Sequence, residues 1–279
     1  MIIIARAFIL LAITTSVFNI ISCDKNKKGN FDMKNVEKIS PQEWQAFSQR
    51  RIIFGHQSVG SNILSGVKQL ADQSGVSIQI TESKSSGTSS GITHFKIGKN
   101  EDPNSKIKDF ETIIETDLSK NAAIAMMKLC YVDINSRTDT KKLANDYIEN
   151  LDRLSQKFPN TTFVAVTSPL TIVQSGPKAL IKKLLRRTPD HYNENYKRFE
   201  FNNIIRAHYS KSGLLFDLAK FEAEGNDTIK YQGHSFEFLN PAFTSDGGHL
   251  NQLGQLHIAT KLIQFISGIA NRAIKTEVS

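Results

Sequence analysis

From residue 51 onward, short apolar runs alternate with stretches in which apolar residues recur every three or four positions. "RIIFG" (51–55) predicts a strand, and "GSNILSGVKQLADQS" after it predicts a helix with Ile63, Val67 and Leu70 on one side. "VSIQI" (76–80) predicts a second strand, followed by a Ser/Gly/Thr-rich loop over 82–91. Ile107, Phe110, Ile113 and Ile114 share one face of a helix within 104–116, and the continuous apolar run 122–132 reads as a fully buried strand. A helix over 138–158 aligns Leu143, Tyr147, Leu151, Leu154 and Phe158, and Pro159-Asn160 ends it. "TTFVAV" (161–166) predicts another strand, then helices over about 177–187 and 195–210, a short strand in "GLLFDL", and a last helix from about Asn251.

Strands separated by helices of this length imply βαβ units. The expected fold is therefore α/β, a three-layer α/β/α domain with a mainly parallel central sheet, in the manner of flavodoxin. It is expected to span 46–275, without internal repeat or linker. In such folds ligands sit beyond the carboxyl ends of the strands.

The first 22 residues belong to a different category. "MIIIARAFILLAITTSVFNIIS" carries one charge, Arg6, and ends in small residues before Cys23, which reads as a signal peptide. "IISC" resembles the lipobox of bacterial lipoproteins, which implies lipidation of Cys23, a membrane anchor there, and a place in the bacterial envelope facing the periplasm or exterior. A plain secretory signal and an uncleaved anchor are the other readings. The polar, lysine-rich stretch that follows is expected to be a tether over 23–45.

Cys23 and Cys130 are the only cysteines, so lipidation excludes a disulfide within the chain. Cys130 lies in an apolar strand-like run, where cysteine behaves as a small buried hydrophobe. The formal charge of +8 is spread widely, with one denser run, "KKLLRR" at 182–187. That run reads as a solvated helix face. Its other reading is an anionic partner, which outside the cytoplasm means envelope polymers or lipid head groups rather than nucleic acid.

Two stretches carry candidate chemistry. In "FGHQSVGSN" (54–62), Ser58 stands between a strand and a helix, where helix-start amides favour developing negative charge and Gly60 offers close approach to the backbone. An ordinary helix cap is the plainer reading. In "TSDGGHLNQLG" (244–254), Asp246 and His249 are three residues apart, so the carboxylate can reach Nδ1 and leave Nε2 as a base. An Asx turn capping the last helix is the plainer reading here. Asp-x-x-His alone lacks the ligands for a metal, and no cofactor is implied.

Together the two stretches resemble the SGNH (GDSL-type) hydrolases. "IIFGHQS" stands in place of the family's strand-Gly-Asp-Ser, and "DGGHLNQLG" is similar to its last block. "FNNIIRAHYSKSGLLFDLAKFE" is similar to the segment before that block. The resemblance covers about 50–270 and implies an SGNH-like α/β/α fold with Ser58 as nucleophile, His249 as general base and Asp246 as its orienter. It also implies a serine esterase acting on a small-molecule or glycan ester. An acyltransferase on the same triad and a non-catalytic binding module remain open.

The chain departs from the family at two places. His56 and Gln57 precede the serine, and "CYVD" (130–133) puts Val132 where the family has an oxyanion asparagine. The expected substitutes are the Gly98 amide and the Asn100 carboxamide in "HFKIGKNEDP", with Asn135 as the lesser choice. The sequence leaves the oligomeric state unassigned.

Overall fold

The computed structural model describes residues 31–85, 89–116 and 124–277, with side chains as far as 269. Cys23 and the leader lie outside the described residues. The chain runs through α1 (Pro41–Ser48), β1 (Arg51–His56) and α2 (Ser58–Ser74), then β2 (Ile80–Glu82), β3 (Gly91–Lys96) and α3 (Pro103–Thr116). β4 (Ile124–Met127), α4 (Thr140–Lys157), β5 (Thr162–Val166), α5 (Gly176–Leu184) and α6 (Tyr192–Tyr209) follow. β6 (Leu215–Phe216), α7 (Leu218–Glu222), a hairpin of β7 (Ile229–Tyr231) and β8 (His234–Phe236), and α8 (Gln252–Glu277) complete it.

Strands β1–β6 form one sheet in the order β2-β3-β1-β4-β5-β6, and every pairing in it is parallel. Successive side chains point to opposite faces, so the sheet carries two cores. Ile52, Phe54, Met126 and Val164 face one layer, built chiefly of α1, α2 and α8. Ile53, Ala125, Met127 and Phe163 face the other, built of α3, α4 and α6. This is the three-layer α/β/α arrangement with a parallel sheet. Burial on both faces explains why β1, β4 and β5 read as continuous apolar runs. Among the described residues no helix is long and apolar enough to cross a membrane.

The structure redraws several boundaries. β3 pairs with β1 along its whole length, although no strand is expected over "GITHFK" from the sequence. Only Ile92 and Phe95 of its side chains enter the two cores, so its apolar signal is weak. Of "VSIQI" only Ile80 is strand. The buried strand expected over 122–132 stops at Met127, and Tyr131–Asp133 forms a 3₁₀ turn. The Asp133 carboxylate closes that turn by accepting the Cys130 N–H at 2.6 Å.

The expected tether over 23–45 also ends early. Ser40 caps α1 reciprocally with Glu43, Pro41 opens the helix, and Trp44 and Phe47 are buried in the core. The folded unit therefore includes α1 and begins before residue 46. Phe31 already packs edge-on against Phe243, with ring centroids 4.8 Å apart.

Candidate active site

β1 ends at His56, Gln57 is extended, and Ser58 is the first residue of α2. This sharp strand-to-helix turn leaves Ser58 exposed at the carboxyl edge of the sheet's central strand. Gln57 occupies the N-cap but makes no capping hydrogen bond. Its side chain instead donates to the backbone carbonyls of Ile97 (2.6 Å) and Gly98 (3.2 Å). The Gln57 side chain therefore leaves the first amides of a 17-residue helix uncapped, and the positive end of the helix dipole lies at Ser58.

His56, immediately upstream, is fully buried. Its Nδ1–H donates to the Gln57 carbonyl at 2.7 Å, so its Nε2 must accept, and it takes Nδ1–H of His94 at 3.0 Å. Burial pushes the His56 imidazole down to about 3, and the nearby ammonium groups of Lys96 and Lys128 add to the effect. The ring also explains Gly60. A Cβ at position 60 would lie 2.3 Å from Cγ of His56, so this glycine makes room for the imidazole. The expected opening for a ligand at Gly60 is filled by protein.

The turn 244–250 supplies the other half. Oδ2 of Asp246 accepts Nδ1–H of His249 at 2.7 Å, which leaves Nε2 as an acceptor 3.0 Å from Ser58 Oγ. Oδ1 of Asp246 accepts the backbone N–H groups of Gly248 (3.0 Å) and His249 (2.8 Å). One oxygen builds the turn and the other orients the imidazole. These bonds, the Gly248 amide first and then the His249 side chain and amide, hold the Asp246 carboxyl well below the usual carboxylate range. The cap of α8 is Asn251, whose Oδ1 accepts the Gly254 N–H at 3.0 Å, so Asp246 is free of that duty. Gly247 is left-handed at φ +94°, and the Leu250 N–H donates to Asn62 of α2 at 3.3 Å, which ties the turn to the nucleophile's helix.

Two further residues at this edge, Tyr131 and Arg198, carry no functional signal in the sequence. The Tyr131 ring lies edge-on to His249 at 5.7 Å, with its hydroxyl 3.5 Å from Nε2. A Cβ at Gly248 would come 2.8 Å from that ring, so "DGG" is also shaped to receive it. Burial raises the Tyr131 phenol above its ordinary range, with the Asp246 charge second, so it stays protonated. Buried Arg198 on α6 clamps the Tyr131 carbonyl through Nε (3.0 Å) and Nη2 (2.8 Å). No spacing in the sequence connects position 198 to 131.

The loop after β3 contains both expected oxyanion donors, and they fare differently. The Gly98 N–H donates to the Asp109 carboxylate at 3.0 Å, so it is not available to an oxyanion in this arrangement. Asn100 is exposed, and its Oδ1 accepts Nζ of Lys106 at 2.9 Å. An ammonium only donates, so Oδ1 is the engaged atom and Nδ2 of Asn100 is not part of that contact. Lys106 in turn forms a fully buried ion pair with Asp133 at 2.7 Å, and Asp133 also accepts the Glu101 N–H. Asn135 closes its own turn by accepting the Arg137 N–H. Cys130 is buried and free, as expected of a small hydrophobe. No cluster of His, Cys, Asp or Glu among the described residues is arranged to hold a metal ion.

No protein-family model and no curated protein matches the sequence. Solved structures do resemble the fold. They include a member of the lipolytic protein G-D-S-L family from Veillonella parvula, 14% identical over 77% of this chain and 96% of that one, with a TM-score of 0.45. Another is the periplasmic domain of a Salmonella ser. Paratyphi A lipopolysaccharide acetyltransferase, 14% identical over 82% and 85%, at 0.42. A third is the OSK domain of Drosophila Oskar, 10% identical over 86% and 99%, at 0.40. At such scores the likeness carries no argument about the site, whose reading rests on its own geometry.

Proposed function

We propose that the protein is a serine ester hydrolase of the SGNH type, working through an acyl-enzyme at Ser58. One observation carries this reading: an unbroken line of short contacts runs from Asp246 through His249 to Ser58, joining residues 191 positions apart. In the acylation step His249 Nε2 takes the Ser58 proton as Oγ bonds to the ester carbonyl carbon. The tetrahedral oxyanion is met by the Ser58 N–H and the Asn100 carboxamide. The Lys106 contact orients that carboxamide, and Gln57 ties its loop to the turn before Ser58. His249 then gives the proton to the departing alkoxide. Water repeats the sequence to release the acid and free Ser58. Asp246 holds the imidazole in the working tautomer throughout and stabilises it when it carries the proton.

The substrate class we infer is an O-acylated glycan of the envelope or its surroundings, or a lipid ester. The leader suggests where that substrate is met, with Cys23 lipidated and the domain outside the cytoplasm. The mass of intact protein extracted from membranes checks the anchor. A mature chain starting elsewhere than Cys23, or starting there unmodified, removes it.

Labelling with a fluorophosphonate probe tests the chemistry. The label should map to Ser58, and Ser58→Ala should take up none while remaining folded. A folded wild-type protein that takes up no label returns Ser58 to the first turn of a helix and leaves a binding module.

A further inference from the structure

Among the described residues, five large apolar side chains are markedly exposed, and four of them fall on α5 and the residue after it. Leu180 is 44% exposed, Ile181 55%, Leu184 75% and Leu185 62%. At roughly 100° of rotation per residue, these four lie about 100–240° around the axis from Ala179. Ala179 is the helix's one buried residue. The apolar stripe therefore faces directly away from the protein. α5 packs extensively against no other helix or strand among the described residues.

Charge accompanies this stripe. Lys178, Lys182 and Lys183 flank it, and Arg186 and Arg187 follow at its end. Lys182 pairs with Asp190 at 2.6 Å, and the Lys183 ammonium lies 5.3 Å from the centre of the Tyr192 ring. Lys178, Arg186 and Arg187 are exposed. The segment is also pinned at its root. The Gln174 N–H donates to the Asp190 carbonyl (3.1 Å), and the Asp190 N–H donates to Gln174 Oε1 (3.2 Å). Just before it, the Ile172 N–H donates to the Gly247 carbonyl at 2.9 Å, inside the Asp246–His249 turn. The helix thus projects from the rim that carries the general base.

We propose that α5 docks the domain onto an anionic lipid surface. The four apolar side chains enter the boundary between head groups and acyl chains, and Lys178, Arg186 and Arg187 meet lipid phosphates. An outward apolar stripe bordered by lysines and arginines is the pattern of an interfacial helix. Its cations rule for an anionic partner, and each basic residue near such a surface strengthens binding about five-fold. Docking turns the mouth of the Ser58–His249 site toward the lipid plane. It does not depend on the esterase reading, because it needs no chemistry at Ser58.

The test reads α5 alone, so the leader does not confuse it. Trp44 is the chain's one tryptophan and is buried, so Leu184→Trp places a second, exposed indole on the stripe. The full-length variant is mixed with vesicles of equal phosphatidylglycerol and phosphatidylcholine carrying brominated acyl chains. The introduced indole should be quenched about two-fold or more, as a ring seated among acyl chains is. Adding Arg186→Glu and Arg187→Glu should weaken the vesicle concentration dependence by at least ten-fold, and pure phosphatidylcholine should quench little. Ser58→Ala should dock unchanged, so loss of activity and loss of docking are separable. An introduced indole that stays unquenched while the protein sediments with the vesicles overturns the proposal. So does quenching that ignores the charge reversals. Shielding of the indole from aqueous quencher by self-association without lipid also overturns it, and assigns the stripe to a second copy of the chain.

Discussion

Asp246 and His249 stand three residues apart on an exposed turn, held mostly by hydrogen bonds to each other and to the turn's own backbone. The nucleophile's arm is held from far away. His56 is tied to His94 across 38 positions, and Gln57 to Ile97 and Gly98 across 40 and 41. The acid–base arm is a local motif with a polar, half-exposed surface. The nucleophile arm is a buried assembly whose last residue, Ser58, reaches solvent. A local arm can be rebuilt by its own few residues, whereas the distant arm depends on the ends of β1 and β3 staying in register. Damage should differ in kind: at Ser58 and on the acid–base arm chemistry is lost with the fold intact, whereas at His56 and Gln57 behind the nucleophile chemistry and stability are linked.

The largest effect expected is that of Ser58→Ala. Hydrolysis of a short p-nitrophenyl ester should fall by ~10⁴-fold or more with the melting temperature unchanged, because the side chain makes few packing contacts and its removal abolishes the acyl-enzyme. Turnover within ten-fold of wild type would break the comparison at its root. Asp246→Asn comes next. The imidazole survives but loses the acceptor that fixes its tautomer, so kcat should drop by roughly 10³–10⁴-fold, leaving residual activity. Steady-state kinetics on the folded variant decides it, and near-normal kcat would reduce Asp246 to a turn-forming residue.

Asn100→Ala sharpens the comparison at the oxyanion. It should lower kcat by ~10²-fold, about 2.7 kcal/mol, with little change in KM, since the bond forms mainly in the transition state. Asn135→Ala should leave kcat within a few-fold, because Asn135 serves its own turn. Equal effects of the two would place the donor elsewhere.

The smallest effect concerns stability on the nucleophile's arm. His56 is neutral in the folded protein down to about pH 3, while an unfolded histidine takes a proton near its ordinary value of 6.5. Its contribution is therefore fully present above about pH 6.5 and is lost as the pH falls from there towards 3. Between pH 7 and pH 4.5 the loss amounts to about 2.5 kcal/mol. Chemical denaturation at pH 7 and pH 4.5 measures it, and His56→Asn should shrink the difference between the two. The Asp246 carboxyl adds no matching loss between pH 7 and 4.5, because even an unfolded aspartate stays ionised there; its own loss begins only as the pH falls through about 3.8.

Much of this protein could be read from its residues alone. The alternation of buried strands and amphipathic helices follows from side-chain periodicity, a local property, and the α/β/α layering follows from it. "DGGHLNQLG" was legible for the same reason, since Asp246 reaches His249 within one turn of chain. What the tertiary structure decided is whatever depends on contacts between distant strands. β3 is a central strand because β1 supplies its hydrogen bonds, although its own pattern is weak. Gly60 accommodates His56, and the Gly98 amide goes to Asp109 on the following helix. Arg198 reaches Tyr131 from 67 residues away. Likewise "KKLLRR" reads as a solvated face in one dimension, and only the packing of Ala179 inward turns Leu184 and Leu185 outward. Periodicity tells which residues share a face of a helix. Which way that face points is fixed by what the rest of the chain leaves for it to pack against.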